Sequence, residues 1–253
     1  MKQRVVVILG PTATGKSKIG LMLAQKLHGE IISGDSMLVY RRMDIGTAKP
    51  SVAERELVPH HLIDILEPEE RYNAFRFQQM AGKLVQEINA RGNLPIIVGG
   101  TGLYIQALLE NYEFDEPCST KKTVGEFDAV VFGLKMERGF LYERINQRVD
   151  DMLSAGLEQE VKDLLSAGVP SDAQSMRAIG YRQMLWYLQD GMPKDEAVEK
   201  LKQATRNFAK RQFTWYRHME YIKWFEIDRT LDYQSVCKEM SKTLVYKWNL
   251  VYN

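Results

Sequence analysis

Three groups of residues in this chain have the types and spacing that chemistry needs. The first is Gly10-Pro11-Thr12-Ala13-Thr14-Gly15-Lys16-Ser17, which fits the pattern G-x-x-x-x-G-K-[ST]. Glycines in such a turn let successive backbone N–H groups face an anion, and the positive end of the following helix adds to the attraction. Lys16 is long enough to reach bridging or terminal phosphate oxygens, and the Ser17 hydroxyl is a ligand for Mg²⁺. The second group is Gly34-Asp35-Ser36 and the third is Gly99-Gly100-Thr101-Gly102. Asp35 offers a base, and Thr101 a hydroxyl that can face a ligand. A phosphate held beside a base describes group transfer. Either a phosphoryl group moves, or an alkyl group moves and leaves a diphosphate behind.

Strand ends must hold these groups. Arg4–Leu9 is an apolar run of strand length before the first, and Ile19, Met22, Leu23 and Leu27 fall on one helical face after it. Glu30–Ser33 reads as a short buried strand that delivers Gly34-Asp35-Ser36 at its carboxyl end. Leu94–Val98 reads as another, emptying into the third group. Ligands of open parallel sheets sit outside the carboxyl ends of the strands, so Asp35 is expected near the phosphate loop. Tyr40–Pro50 is polar and aperiodic, a loop suited to binding. Asn73 is expected to cap a helix to about Arg91, with Phe77, Met80, Ala81, Leu84 and Ile88 as its stripe and Gly92 as its stop. Glu110–Phe127 reads as irregular and Ala129–Leu134 as a strand. Helices are expected over Met136–Leu153, Leu157–Leu165, Gln174–Leu188 and from Pro193 to about Arg217. A strand over Tyr221–Ile227 and a helix from Asp232 through Leu244 close the chain. The expected fold is α/β: a P-loop NTPase-like parallel sheet flanked by helices, with a helical C-terminal half, forming one domain over residues 1–253.

An apolar content of 45% and a charged content of 26% are those of a soluble globular protein. The net charge of +1 conceals an asymmetry. Glu110–Asp172 holds fourteen acidic and seven basic residues, whereas Arg177–Arg217 holds nine basic and four acidic ones, a surface suited to a polyanion. On the long helix from Pro193, a turn of about 100° per residue groups Leu201, Ala204, Phe208 and Trp215. It sets Arg206, Lys210 and Arg217, with Phe213, nearly opposite. Basic residues interleaved with an aromatic suit a nucleic-acid backbone. Cys118 and Cys237 make no metal spacing and suggest free thiols in a reducing compartment. The adjacent His60 and His61 would point to opposite faces of a strand, which argues against a metal site. No apolar run approaches membrane-spanning length, and the first one ends at the phosphate loop, so it reads as a strand and not as a leader. The expected location is the cytoplasm.

Gly10–Ser17, followed by Gly34-Asp35-Ser36 through Tyr40-Arg41-Arg42-Met43-Asp44-Ile45-Gly46-Thr47-Ala48-Lys49-Pro50, resembles the tRNA dimethylallyltransferases (tRNA isopentenyltransferases). So do Val98–Tyr104, Ala178–Met184 and Ala209–Trp215. The resemblance runs through nearly the whole chain in order, and Asp44–Pro50 is its most specific part. It implies transfer of a dimethylallyl group from its diphosphate to N6 of the adenosine 3′ to the anticodon, with release of diphosphate. The implied partners are dimethylallyl diphosphate and the anticodon stem-loop of tRNA, the implied cofactor is Mg²⁺ with Ser17 as protein ligand, and a monomer is expected.

Under this resemblance Gly10, Pro11, Thr12, Ala13, Thr14, Gly15, Lys16 and Ser17 hold the diphosphate. Asp35 takes the amine proton, Thr101 touches the base or the diphosphate, and Lys16 and Arg177 act on the leaving group. Asp35, Ser36, Met37, Leu38 and Thr101 line the pocket for a base that has left its stack. Arg206, Lys210 and Arg217 meet RNA phosphates. One departure is large: members usually carry an inserted helical domain after the helix that follows Gly-Gly-Thr, and here only Glu110–Phe127 stands there. The insert is reduced, removed or missing from the sequence as read, and Lys121–Glu126 reads as its far end joined to its near end. Two other readings use the same residues. An ATP-dependent small-molecule kinase would share the loop, but NTP chemistry expects an acid at a neighbouring strand end, where only Asp64 could substitute. A non-catalytic tRNA-binding module would not need Asp35.

Overall fold

Alternating apolar residues that are buried on both faces build a parallel sheet and recruit helices to each side. The computed structural model describes residues 2–115, 119–122 and 126–250, so Cys118 lies outside it. In chain order the first half runs β1 (Gln3–Leu9), α1 (Lys16–Lys26), β2 (Gly29–Ser33), α2 (Val52–Leu57), β3 (His60–His61), α3 (Ala74–Ala90), β4 (Leu94–Gly99) and α4 (Gly102–Leu109). A small hairpin of β5 (Tyr112–Asp115) and β6 (Ser119–Lys122) follows. The second half runs β7 (Phe127–Met136), α5 (Arg138–Ser154), α6 (Leu157–Ser166), α7 (Tyr181–Leu188), α8 (Lys194–Tyr216), β8 (Ile222–Ile227) and α9 (Tyr233–Trp248).

Six parallel strands lie in the order β3-β2-β4-β1-β7-β8. Val5, Val7 and Leu9 of β1 face the larger core, with Phe77, Ala81, Val85 and Ile88 of α3. Val6 and Ile8 face the other core, with Ile19 and Leu23 of α1 and Tyr233, Met240 and Leu244 of α9. The alternation is the two-residue period of a strand. Register then aligns the strand ends: Leu9 pairs with Gly99 and Ser33 with Val98. The three glycine-containing turns therefore leave the sheet at one level.

The structure departs from expectation in several places. Glu110–Phe127 is not wholly irregular, because Tyr112–Asp115 pairs antiparallel with Ser119–Lys122. Phe114 supplies the apolar side of this hairpin and meets Phe75 edge-on with ring centroids 5.9 Å apart. Gln174–Leu188 is not one helix: Ser175–Arg177 makes a single 3₁₀ turn, and α7 starts only at Tyr181. Gly180 stands between them at φ 101°, a left-handed conformation that interrupts a helix. The short α2 went unanticipated, although Ser51 and Glu54 form a reciprocal capping box at its start. On α8 the buried positions are Ala197, Leu201, Ala209, Gln212 and Tyr216, while Trp215 is 42% exposed. The inner face carries a buried amide that a purely apolar pattern overlooks.

No helix among the described residues is long and apolar enough to cross a membrane. No group of three His, Cys, Asp or Glu among them could hold a metal ion. His60 Nδ1 lies 2.7 Å from the Val58 carbonyl oxygen and His61 Nε2 lies 2.6 Å from Glu30 Oε2.

Glu30, only 5% exposed, is the most heavily bonded carboxylate at the sheet's amino end. Burial alone would raise its pKa, but bonds from Arg91, Asn93 and His61 outweigh that and hold it at about 2. A depressed carboxylate stabilises the fold above its unfolded pKa and loses that contribution as pH falls toward the folded value. Glu30→Gln is expected to cost about 3 kcal/mol at neutral pH. Urea titrations of both proteins should show the gap shrinking by more than half by about pH 3.

Candidate active site

The phosphate loop leaves β1 at Gly10 and enters α1 at Lys16. Its shape is held from within and from α5. Thr14 Oγ1 donates to the Pro11 carbonyl at 2.8 Å, and Arg144 Nε donates to the Ala13 carbonyl at 2.9 Å. Gly15 adopts φ 93°, and a Cβ there would lie 2.4 Å from the Tyr233 ring, so conformation and space both demand glycine. A cavity of ≈ 370 Å³ opens beside the loop. Lys16, Ser17 and Lys18 line one side, and Arg144, Gln147, Arg148 and Asp151 the other. Arg144 and Arg148, and Gln147 and Asp151, are each four apart, which puts the two pairs side by side on one face of α5.

This face of α5 is the part of the site that motif reading missed. An R-x-x-x-R spacing on an amphipathic helix reads as an ordinary solvated stripe. Only the tertiary fold turns it toward the phosphate loop. Burial and neighbouring charge both act on these cations. Lys16 is half-buried, and its pKa is pulled down to about 7 by desolvation first and Arg148 second, with Asp35 opposing. Burial likewise lowers Arg148, with Asp35 raising it and Arg144 lowering it further. Asp35 is therefore the carboxylate that both cations feel.

Asp35 sits just beyond β2 in a tight side-chain turn, its Oδ1 accepting from the Met37 N–H at 2.8 Å. Thr101 locks the neighbouring turn to it. Its N–H donates to the Gly34 carbonyl at 3.3 Å, and its Oγ1 accepts from the Ser36 N–H at 3.2 Å. Asp35, Ser36, Met37, Leu38 and Thr101 are all half-buried. The structure thus gathers Gly10–Ser17, Asp35–Leu38 and Thr101 at one end of the sheet.

Three other residues singled out in the sequence stand elsewhere. Arg177 is exposed at the end of the 3₁₀ turn and does not line the cavity at Lys16. Arg206 does not join Lys210 and Arg217 on an open stripe: its Nη1 donates to Asn146 Oδ1 of α5 at 2.6 Å and its Nη2 to Gln203 Oε1 at 2.9 Å. The polar neighbours on α5 draw it inward. Lys210 and Arg217 are exposed, and the Arg217 guanidinium lies over the Phe213 ring, 5.0 Å from its centroid. Asp64 is occupied by ion pairs with Lys49 and Arg55, which removes it as a metal-binding acid.

The specific run Asp44–Pro50 is tied down by a second carboxylate. Glu160 of α6 accepts from the N–H groups of Asp44 (2.8 Å), Ile45 (2.7 Å) and Gly46 (3.0 Å), and from the Tyr181 hydroxyl at 2.6 Å. Lys49, nearly fully buried, pairs with Asp44 at 2.6 Å and donates to the Tyr40 carbonyl.

A phosphate loop, a facing pair of arginines and a carboxylate at the carboxyl ends of parallel strands define an α/β enzyme that works on a phosphorylated substrate. The comparisons with known proteins narrow this. The family model described as IPP transferase matches residues 38–124 and 115–219. A tRNA dimethylallyltransferase of Pelotomaculum thermopropionicum is 40% identical over 95% of this chain and 96% of its own length. One from Streptococcus mutans is 42% identical over 90% and 94%. Among solved structures, the tRNA isopentenylpyrophosphate transferase of Bacillus halodurans superposes with a TM-score of 0.90 at 37% identity, covering 97% of each chain. A eukaryotic dimethylallyltransferase, described as acting on tRNA, superposes with a TM-score of 0.86 at 25% identity, covering 99% of this chain and 81% of its own. The chain belongs to the tRNA dimethylallyltransferase family. The alignment with the Geobacillus kaustophilus relative uses all 253 residues of this chain yet runs over 315, which leaves 62 positions without a counterpart here. The two segments of the family match overlap at 115–124, across the hairpin.

The lowered pKa of Lys16 predicts a proton linkage. A bound diphosphate favours the charged amine, so binding at a pH above about 7 takes up a proton, and affinity falls as pH rises past that value. Titration calorimetry with inorganic diphosphate at about pH 8, in buffers of different ionisation enthalpy, should report uptake of about one proton. Lys16→Arg should abolish the uptake.

Proposed function

We propose that this protein transfers a dimethylallyl group from dimethylallyl diphosphate to N6 of the adenosine 3′ to the anticodon in tRNA, releasing diphosphate. The observation that carries the reading is the placement of Asp35. Its carboxylate lies within the electrostatic reach of Lys16 and Arg148, two residues that line the cavity, and on the same turn as the Ser36–Thr101 contact. As the C1–O bond of the donor breaks, charge grows on the departing diphosphate. Lys16, Arg144 and Arg148 are preorganised to offset it. The adenine amine forms the new C–N bond and gives its proton to Asp35, with Thr101 and Ser36–Leu38 shaping the base pocket. An exocyclic amine is a weak nucleophile, so holding it in line matters more than activating it. Arg177, on the segment that precedes α7, would have to reach the diphosphate from outside this cavity.

Ser17 and Asp151 line the same cavity, and their oxygens suit Mg²⁺ that arrives with the diphosphate and keeps several waters. Such an ion would supply further positive charge to the leaving group. Lys210 on α8 and Arg217 at its C-terminal cap are exposed, and in this reading they meet tRNA phosphates. The overlap of the two family-match segments across the β5–β6 hairpin supports taking it as the place of the family's helical insert, which would add grip on the anticodon stem-loop. The reading includes a cytoplasmic monomer. A small-molecule kinase is not favoured: β4 runs into Gly-Gly-Thr with no acid, and Asp64 is engaged by Lys49 and Arg55.

Incubation with Mg²⁺, dimethylallyl diphosphate and unmodified tRNA, followed by mass analysis of the adenosine-containing fragments, tests the activity. A gain of one dimethylallyl group is expected, and a chain with the helical insert restored should bind tRNA more tightly. Silence in both forms would sink the proposal. Asp35→Ala should lower turnover at least ~100-fold while leaving diphosphate binding intact, and retained turnover would remove Asp35 as the base. Lys210→Ala and Arg217→Ala should each weaken tRNA binding across sequences and reduce the log–log salt slope by about one. Filter binding at several salt concentrations reads this directly.

A further inference from the structure

The donor loop and the acceptor turn must be held at a fixed separation, and the sheet itself stops short of doing so. The β1–β4 ladder ends with Leu9 opposite Gly99. Beyond that point Gly10–Thr12 and Gly100–Thr101 leave the sheet without strand pairing to hold them together. Two side chains of α8 take over. Gln212 Oε1 accepts from the Thr12 N–H at 3.0 Å, and Gln212 Nε2 donates to the Gly100 carbonyl at 2.9 Å. The Tyr216 hydroxyl donates to the same carbonyl at 2.7 Å and lies 3.4 Å from the Gly10 carbonyl oxygen. Gln212 is 6% exposed and Tyr216 fully buried.

A planar amide suits this place because one group accepts from one turn and donates to the other. The bonds then continue: Gly100 adjoins Thr101, and the Thr101 hydroxyl holds the Ser36 N–H next to Asp35. A continuous hydrogen-bonded path thus runs from the phosphate loop to the base. We propose that Gln212 and Tyr216 are positioning residues that set the distance between the diphosphate cradle and the acceptor pocket in prenyl transfer. The proposal rests on the transfer reading above. It follows from the steep dependence of such reactions on placement, where a misfit of about 1 Å costs roughly 100-fold. Truncating the brace should therefore slow the chemical step and leave each substrate's own contacts in place.

The test uses the full chain with Gln212→Leu, Tyr216→Phe and the double variant. Single-turnover prenyl transfer, calorimetric affinity for inorganic diphosphate and thermal melting are measured for each. Gln212→Leu is expected to lower the transfer rate at least ~10-fold with diphosphate affinity within about threefold of the parent. Tyr216→Phe, which keeps the ring, should show a smaller loss in rate with an unchanged melting temperature. The double variant should be little worse than Gln212→Leu, because both residues hold one carbonyl. Parent-like rates in both single variants overturn the proposal while leaving the transfer reading standing. So does a rate loss that tracks lost diphosphate affinity, or one that disappears when the assay is run well below the melting temperature. An inactive parent protein brings down the transfer reading and this proposal with it.

Discussion

Three parallel strands ending at one level are the constraint on which the remainder of the molecule depends. Because β1, β2 and β4 run the same way and stay in register, a phosphate loop, an aspartate turn and a Gly-Gly-Thr turn emerge side by side. Each is separated from the next by a helix and tens of residues. Parallel pairing requires such crossovers, and it brings to one place the residues that an antiparallel meander would have dispersed to both ends. Burial of both sheet faces makes a slip of register costly, since a single step would turn Val5, Val7 and Leu9 into the wrong core. Precision at the site is thus a consequence of hydrophobic packing beneath it.

On this frame the protein assembles more positive charge than it can comfortably desolvate. Lys16, Arg144 and Arg148 crowd one cavity, and Asp35 is the negative group that both Lys16 and Arg148 respond to. Even with Asp151 on the lining, cations outnumber carboxylates in this cavity, an imbalance that a bound diphosphate would reduce. A catalyst whose leaving group carries the growing charge gains from the same imbalance, because the cations are in place before the bond breaks.

Local signatures made about half of this legible in the sequence. Gly10–Ser17, Gly34-Asp35-Ser36 and Gly99–Thr101 each combine a strand with a turn, and a strand's direction says which end its turn occupies. The capped α3 was equally readable, because Asn73 and the apolar stripe lie within one element. What escaped depends on distant partners. Arg144 and Arg148 look like any exposed helical arginines until α5 is packed against the phosphate loop. Gln212 breaks an apolar pattern for reasons lying some two hundred residues upstream, at Thr12. On α8 the inward place expected for Trp215, beside Leu201, belongs to Tyr216. Arg206 likewise has its partner, Asn146, on another helix, where periodicity within α8 gives no sign of it. The split at Gly180 was visible as a glycine, yet the helical periodicity on either side masked it.

The clamp made by Glu160 has a consequence of its own. Three consecutive backbone N–H groups turned toward one point form a concave donor surface that captures anions. At Asp44–Gly46 the chain meets such a surface with a carboxylate from its own α6. That concavity is pre-empted by a resident counter-charge, which gives the loop its shape and also keeps it from competing for phosphate. An enzyme that accepts a diphosphate in the presence of an RNA's many phosphates benefits when a donor surface away from the phosphate loop is already filled. Internal mimicry of an anion, in this sense, is a device for selectivity as much as for rigidity.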